Sequence, residues 1–261
     1  MASRYIDAQD RLDRCLNSFA TESFRDQADR DYIHARLACR SELFPQFLWS
    51  SHQAFEKYLK AILLYNRVKA TRVRHDIRAA LTLAQQLPFT IEISSRSREF
   101  LEYVADLGEH CYLDVPYYVD GHVMVDLDLC VWELRRYCQV LDVFGKVLPP
   151  AEDALLQKAR KDLQLSGSLP RRHFSLHNGF LEKVLNSPRH PSRSALVWNN
   201  PCFGLRSRKV IRARDHMHAQ NPLLLHYPDI LPELQKYVFI PEKLAAGYRA
   251  LASEKAESGG N

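Results

Sequence analysis

Between Phe44 and Leu63 the residues Phe44, Phe47, Leu48, Ser51, Phe55, Tyr58, Leu59, Ile62 and Leu63 recur at three- and four-residue steps. That spacing lines one face of an α-helix with apolar groups. A stripe of this length has to be covered by other elements, because left in water it forfeits the burial that drives folding. On the polar side Glu56 stands four residues before Lys60, the order that supports an exposed helix by about 0.2–0.5 kcal/mol.

The flanking sequence supplies partners for that stripe. Tyr32, Ala35, Leu37 and Cys39 predict a helix over Asp26–Cys39, followed by a turn near Ser41–Pro45, since proline disfavours the helical conformation in the residue before it. After a basic loop, Asn66–Arg74, the run Ile77, Ala80, Leu81, Leu83, Ala84 and Leu87 predicts a third helix stopped at Pro88. Ser94 or Ser95 caps a fourth, with Phe100, Leu101, Val104 and Leu107 inward, and Asp114–Tyr117 breaks the chain after it. Asp120-Gly121 starts a last helix carrying Met124, Leu127, Val131, Leu134, Cys138 and Leu141, closed by Gly145 and then Pro149-Pro150. The expected fold class is therefore all-α, an up-and-down bundle of four or five helices over residues 1–148.

Past Pro150 the pattern changes. A helix over Ala151–Leu165 leads into Ser166-Gly167-Ser168, then a basic and aromatic region turned at Asn199-Asn200-Pro201 and Asn221-Pro222. Arg208–Arg212 and Leu223–Leu225 read as short strands or extended segments, and helical spacing returns from Pro228 to Leu251. Residues 149–252 are thus read as a mainly helical C-terminal extension, and 253–261 as a disordered tail.

Gln53-Ala54-Phe55-Glu56-Lys57-Tyr58-Leu59-Lys60-Ala61-Ile62-Leu63 resembles the second-helix signature of HEPN domains, a QAxEKxxKAxL string followed by a loop and a histidine that opens the next helix. His75 and Leu81 fall where that pattern expects them, and Leu107, Tyr112 and Tyr117 resemble the tyrosine-rich segment before the family's final helix. The resemblance spans roughly residues 26 to 145. It implies a helical bundle that commonly dimerises and works in nucleotide- or RNA-related systems, including toxin, defence and RNA-processing proteins. A nucleotidyltransferase or an antitoxin is the kind of protein partner it suggests. Within the signature, Gln53, Glu56, Lys57 and Lys60 either hold helices together or, through Lys57 or Lys60, meet a phosphate.

Charge is unevenly spread along the chain. Residues 1–148 carry 19 Lys/Arg against 21 Asp/Glu, a net −2, whereas residues 149–261 carry 17 against 10, a net +7. Within residues 171–214 there are ten basic side chains and a single acid, Glu182. That stretch is the candidate for polyanion contact, through Arg171, Arg172, Arg206, Arg208, Lys209, Arg212 and Arg214, unless it is simply a basic connector. Phe174, Phe180, Trp198 and Phe203 lie among these cations as rings on which bases stack.

Catalytic members of the resembled family carry an arginine and, a few residues later, a histidine: one neutralises a phosphate, the other moves a proton at the ribose 2′-hydroxyl or the leaving oxygen. Before the last helix, His110-Cys111-Tyr112 resembles the end of that motif, but Ala105 stands where the arginine belongs. Arg172 with His177, and Arg212 with His218, do fit the spacing. Chance alone supplies about three such matches in a chain with this many arginines and histidines, and three occur when Arg171–His177 is included. A metal-independent endoribonuclease is therefore carried as an alternative to RNA or nucleotide binding, and a non-catalytic dimeric scaffold as a third reading.

Other classes find no support. The chain lacks GxxxxGK[ST] and GxGxxG loops, so no cofactor is expected. The six cysteines are scattered without a CxxC pair, and His216, His218 and His226 read as solvent-facing rather than as metal ligands. No apolar run reaches the roughly 18–20 residues of a membrane span, and the first 15 residues are too charged for a signal peptide, so a cytoplasmic protein is expected.

Overall fold

The computed structural model describes residues 8–108, 117–168, 170–204, 218–220 and 223–258. The expected helices are present. Helix α1 (Ala8–Phe19) passes through one π-helical turn, Ala20–Arg25, into α2 (Asp26–Arg40). Three residues later the chain folds back as α3 (Phe44–Tyr65), with Pro45 in the first turn, where a missing N–H costs nothing. All nine residues of the predicted stripe are buried in α3.

Helix α4 (Ile77–Ala84) starts at Asp76, whose carboxylate accepts from the N–H groups of Arg78 and Ala79 at 2.9 and 3.0 Å. It stops one turn short of the predicted end at Leu87. Helix α5 (Ser95–Leu107) is capped by Ser94, which accepts from the Ser97 N–H. Helix α6 (Val123–Arg135) ends sooner than its apolar spacing implied: Cys138 and Leu141 lie beyond its end, yet both remain buried. Burial, not helix continuation, is what their apolar character reported.

The extension adds α7 (Pro150–Ser166), a 3-10 turn at Arg171–His173, α8 (Phe180–Asn186) and α9 (Arg193–Val197). The two short helices and α1 were not expected; α8 and α9 are too short to show a stripe. Further on come α10 (Leu223–His226), a 3-10 turn at Pro228–Ile230, α11 (Leu231–Leu234) and α12 (Glu242–Ser258). Leu223–Leu225, expected as strand or extended chain, is thus helical, and so is Ser253–Ser258, expected as tail. The expected extended segment Arg208–Arg212 lies outside the described residues. One antiparallel two-stranded ladder pairs β1 (Tyr117–Val119) with β2 (His218–Gln220), with Tyr118 opposite Ala219.

The core does not stop at residue 148. Leu181, Val184, Ala195, Leu196, Cys202 and Phe203 belong to the same apolar cluster as α2, α3, α5 and α6. A second, smaller cluster gathers Leu231, Ile240, Ala245 and Tyr248. Among the described residues no helix is long and apolar enough to cross a membrane.

Candidate functional site

The signature residues of α3 act first as joints. The buried Glu56 carboxylate accepts from Lys60 and meets His75 Nδ1 at 3.1 Å, while Lys57 pairs with Asp31 of α2. Burial disfavours the Glu56 carboxylate, but the hydrogen bonds from Lys60 and His75 outweigh it and hold its pKa below the ordinary value. Both lysines are therefore engaged with carboxylates, which is the structural of the two readings.

Beneath them lies a deeper polar seam that joins the bundle to the extension. Arg135, fully buried at the end of α6, donates to Asp29 of α2 at 2.7 and 2.8 Å and to Glu182 of α8 at 2.8 and 2.7 Å. Asp29 also accepts from the Tyr58 hydroxyl at 2.7 Å and from the Leu181 N–H at 3.3 Å. Next to it Arg36, likewise buried, bonds Asp128 and the carbonyls of Ala195 and Trp198. Tyr32 donates to Asp128 at 2.6 Å and receives a hydrogen bond from Asn200 at 2.7 Å. Burial lowers the guanidinium pKa of Arg135, but Asp29 and Glu182 more than reverse this and hold it well above its usual value. Burial raises the Tyr58 phenol, and the neighbouring Asp29 raises it further. Glu182 stays below the ordinary glutamate value in spite of burial, because Arg135 and the Leu176 N–H favour its charged form.

Of these residues only Tyr32 and Tyr58 were expected on an apolar helix face. The available signal was periodicity: Asp29, Tyr32 and Arg36 follow one another by three and four residues and share a helical face with the core residues Ile33 and Ala28.

The inward turn of Glu182 leaves the exposed charges of residues 171–204 cationic. Arg171, Arg172, Lys183 and Arg189 are exposed, and among the described residues Arg171, Lys183 and Arg189 meet no carboxylate. The Arg171 guanidinium stands 5.4 Å from the centre of the Trp132 ring, whose N–H donates to the Arg171 carbonyl at 3.2 Å. Arg136 lies 4.8 Å from the same ring. Of the rings expected to stack bases, Phe203 is buried against Tyr32, Phe174 packs on Trp132, and Arg30 and Arg40 already cover Phe180 and Trp198 at 4.3 and 4.7 Å.

Two cavities flank this segment. One of about 690 Å³ lies between residues 90–94, Trp132, Arg136 and Arg171. The other, about 1030 Å³, opens between α1, α7 and the loop after α6, and His177 is on its wall with Arg25, Arg67, Lys146 and Tyr65. Arg172 reaches neither; its Nε donates to His173 Nε2 at 3.3 Å. Arg206, Arg208, Lys209, Arg212 and Arg214 lie outside the described residues, as does the His110-Cys111-Tyr112 segment, and His218 is placed only as the β2 residue opposite Val119. Among the described residues no three His, Cys, Asp or Glu side chains gather as metal ligands.

With this geometry in place, residues 21–117 match the family model of the HEPN domain. This segment is a HEPN domain. No curated protein and no solved structure matches the chain. The matched HEPN segment takes in α2 to α5 and the signature of α3, whereas Asp128, Arg135, Glu182 and Asn200, which complete the buried seam, lie beyond it.

Proposed function

We propose that this HEPN protein binds RNA through the cationic face of its C-terminal extension. The observation that carries the reading is the orientation of Glu182. The single acid between residues 171 and 214 is spent on buried Arg135, so it neutralises none of the cations around it. Arg171, Lys183 and Arg189 are the described cations of this stretch, and the sequence adds Arg206, Arg208, Lys209 and Arg214 to it. Phosphate neutralisation releases condensed counterions, so three contacts to a single strand predict that raising salt from 50 to 200 mM weakens binding about 20-fold. Fluorescence anisotropy with a labelled single-stranded RNA measures this. Lys183→Glu with Arg189→Glu is expected to lower both the affinity and the salt slope; affinity that is flat with salt, or unchanged in that double variant, sinks the proposal.

A second reading, a metal-independent endoribonuclease, draws on the contact between Arg172 and His173 on an exposed turn, with His177 four residues further on. A guanidinium beside an imidazole suits holding a phosphate while moving a proton. Cleavage of RNA in chelator, lost in Arg172→Ala and in His173→Ala or His177→Ala, is the expected result. Equal cleavage in those variants and in Arg212→Ala and His218→Ala removes every assigned pair.

A further inference from the structure

Helix α1 is strongly amphipathic, yet none of its residues is buried. Its polar side, together with the half-buried Leu16, is the one turned toward the protein. Asp13 pairs with Arg67 and Lys146, Asp10 with Lys146, and Arg14 with Glu152 at the start of α7. These contacts set the rotation of α1 about its own axis and leave Ala8, Leu12, Cys15 and Phe19 facing water, Leu12 at 50% and Phe19 at 54% exposure. Positions 8, 12, 15 and 19 step by four, three and four residues. That is the narrow two-per-heptad seam by which one helix closes against another. In the sequence the same step continues upstream at Tyr5.

We propose that α1 pairs antiparallel with α1 of a second copy of this chain. The seam is complementary to itself in that arrangement. A two-fold axis midway between positions 13 and 14 sets Ala8 opposite the partner's Phe19 and Leu12 opposite the partner's Cys15, a small side chain against a large one each time. Charge agrees with this choice: antiparallel dipoles attract, and Arg11, the charge beside the seam, falls near the partner's Ser18 rather than near a second Arg11. A parallel pair stacks Arg11 on Arg11 and Phe19 on Phe19. The stripe offers on the order of 400 Å² per subunit, about half of the ~800 Å² per partner in a standard interface, so the association is reversible and of low affinity. Helix α1 precedes the matched HEPN segment, so this contact is separate from residues 21–117.

Oxidative crosslinking of the full chain tests the register. Leu12→Cys sets a new thiol opposite the native Cys15 of the partner, within bridging reach. Mild oxidation is expected to give a disulfide-linked dimer that disappears in Leu12→Cys/Cys15→Ser. Phe19→Glu, which exchanges an exposed residue whose ring also meets Phe24 at 5.6 Å, is expected to remove the crosslink and to shift sedimentation to the monomer. A crosslink that survives Cys15→Ser refutes the antiparallel register. Absence of any crosslink refutes the pairing, whether the protein sediments as a monomer or as a dimer held elsewhere.

Discussion

Replacing Arg135 by methionine removes the cation that the buried Asp29 and the partly buried Glu182 share. Asp29 and Glu182 each take two hydrogen bonds from it, and the Asp29 side chain has no exposure to water. The Tyr58 hydroxyl and the Leu181 N–H remain on Asp29, but neither carries charge. Breaking a buried pair from one side costs about 3–5 kcal/mol, because the partner is left charged and desolvated. At about 2–4 °C per kcal/mol for a chain of this size, the melting temperature falls by roughly 6–20 °C. Glu182→Gln is milder, since the amide oxygen still accepts from the Leu176 N–H or from Arg135; about 1–2 kcal/mol is expected. The triple variant Asp29→Asn, Arg135→Met, Glu182→Gln removes all three charges and should recover most of the loss, because an uncharged seam carries no desolvation penalty. Urea denaturation at pH 7, read as midpoints with a common slope, measures each. A loss below about 1 kcal/mol in Arg135→Met, or no recovery in the triple variant, refutes the charge argument.

Three further outcomes follow from particular contacts. Glu182 and Glu56 both have folded pKa values below the ordinary one, so they contribute stability above about pH 4.3 that is lost as pH falls through their depressed values; Glu182→Gln should flatten the acid limb of a stability–pH curve, and an unchanged limb counts against the assignment. Gly108→Ala puts a Cβ 2.6 Å from His52 Cβ and 3.0 Å from the Leu48 carbonyl oxygen, so a loss of about 1–3 kcal/mol in the same urea titration is expected from overpacking α5 against α3. Ser94→Ala deletes the cap of α5 and one hydrogen bond to Glu133, with an expected loss of about 1 kcal/mol and faster amide exchange over the first turn of that helix.

Sequence alone determined where the long helices lie and which of their faces is inward. Phe44 to Leu63, Ile77 to Ala84 and Phe100 to Val104 repeat at helical spacing, and Asp76 and Ser94 end in side chains that satisfy a helix start, so both signals are local to a few residues. The QAxEK string was legible for the same reason, being one continuous stretch of α3, and so was the concentration of positive charge after residue 170. The partnership of α2, α6 and the extension was not. Which groups Arg36 and Arg135 meet was not legible, because the partners of these two guanidinium groups stand 47 to 162 residues away along the chain. The same holds for α1, whose rotation is set by ion pairs to Arg67, Lys146 and Glu152 that turn its polar side to the protein. Local periodicity fixes which side chains share a face; only the assembled chain fixes what that face meets.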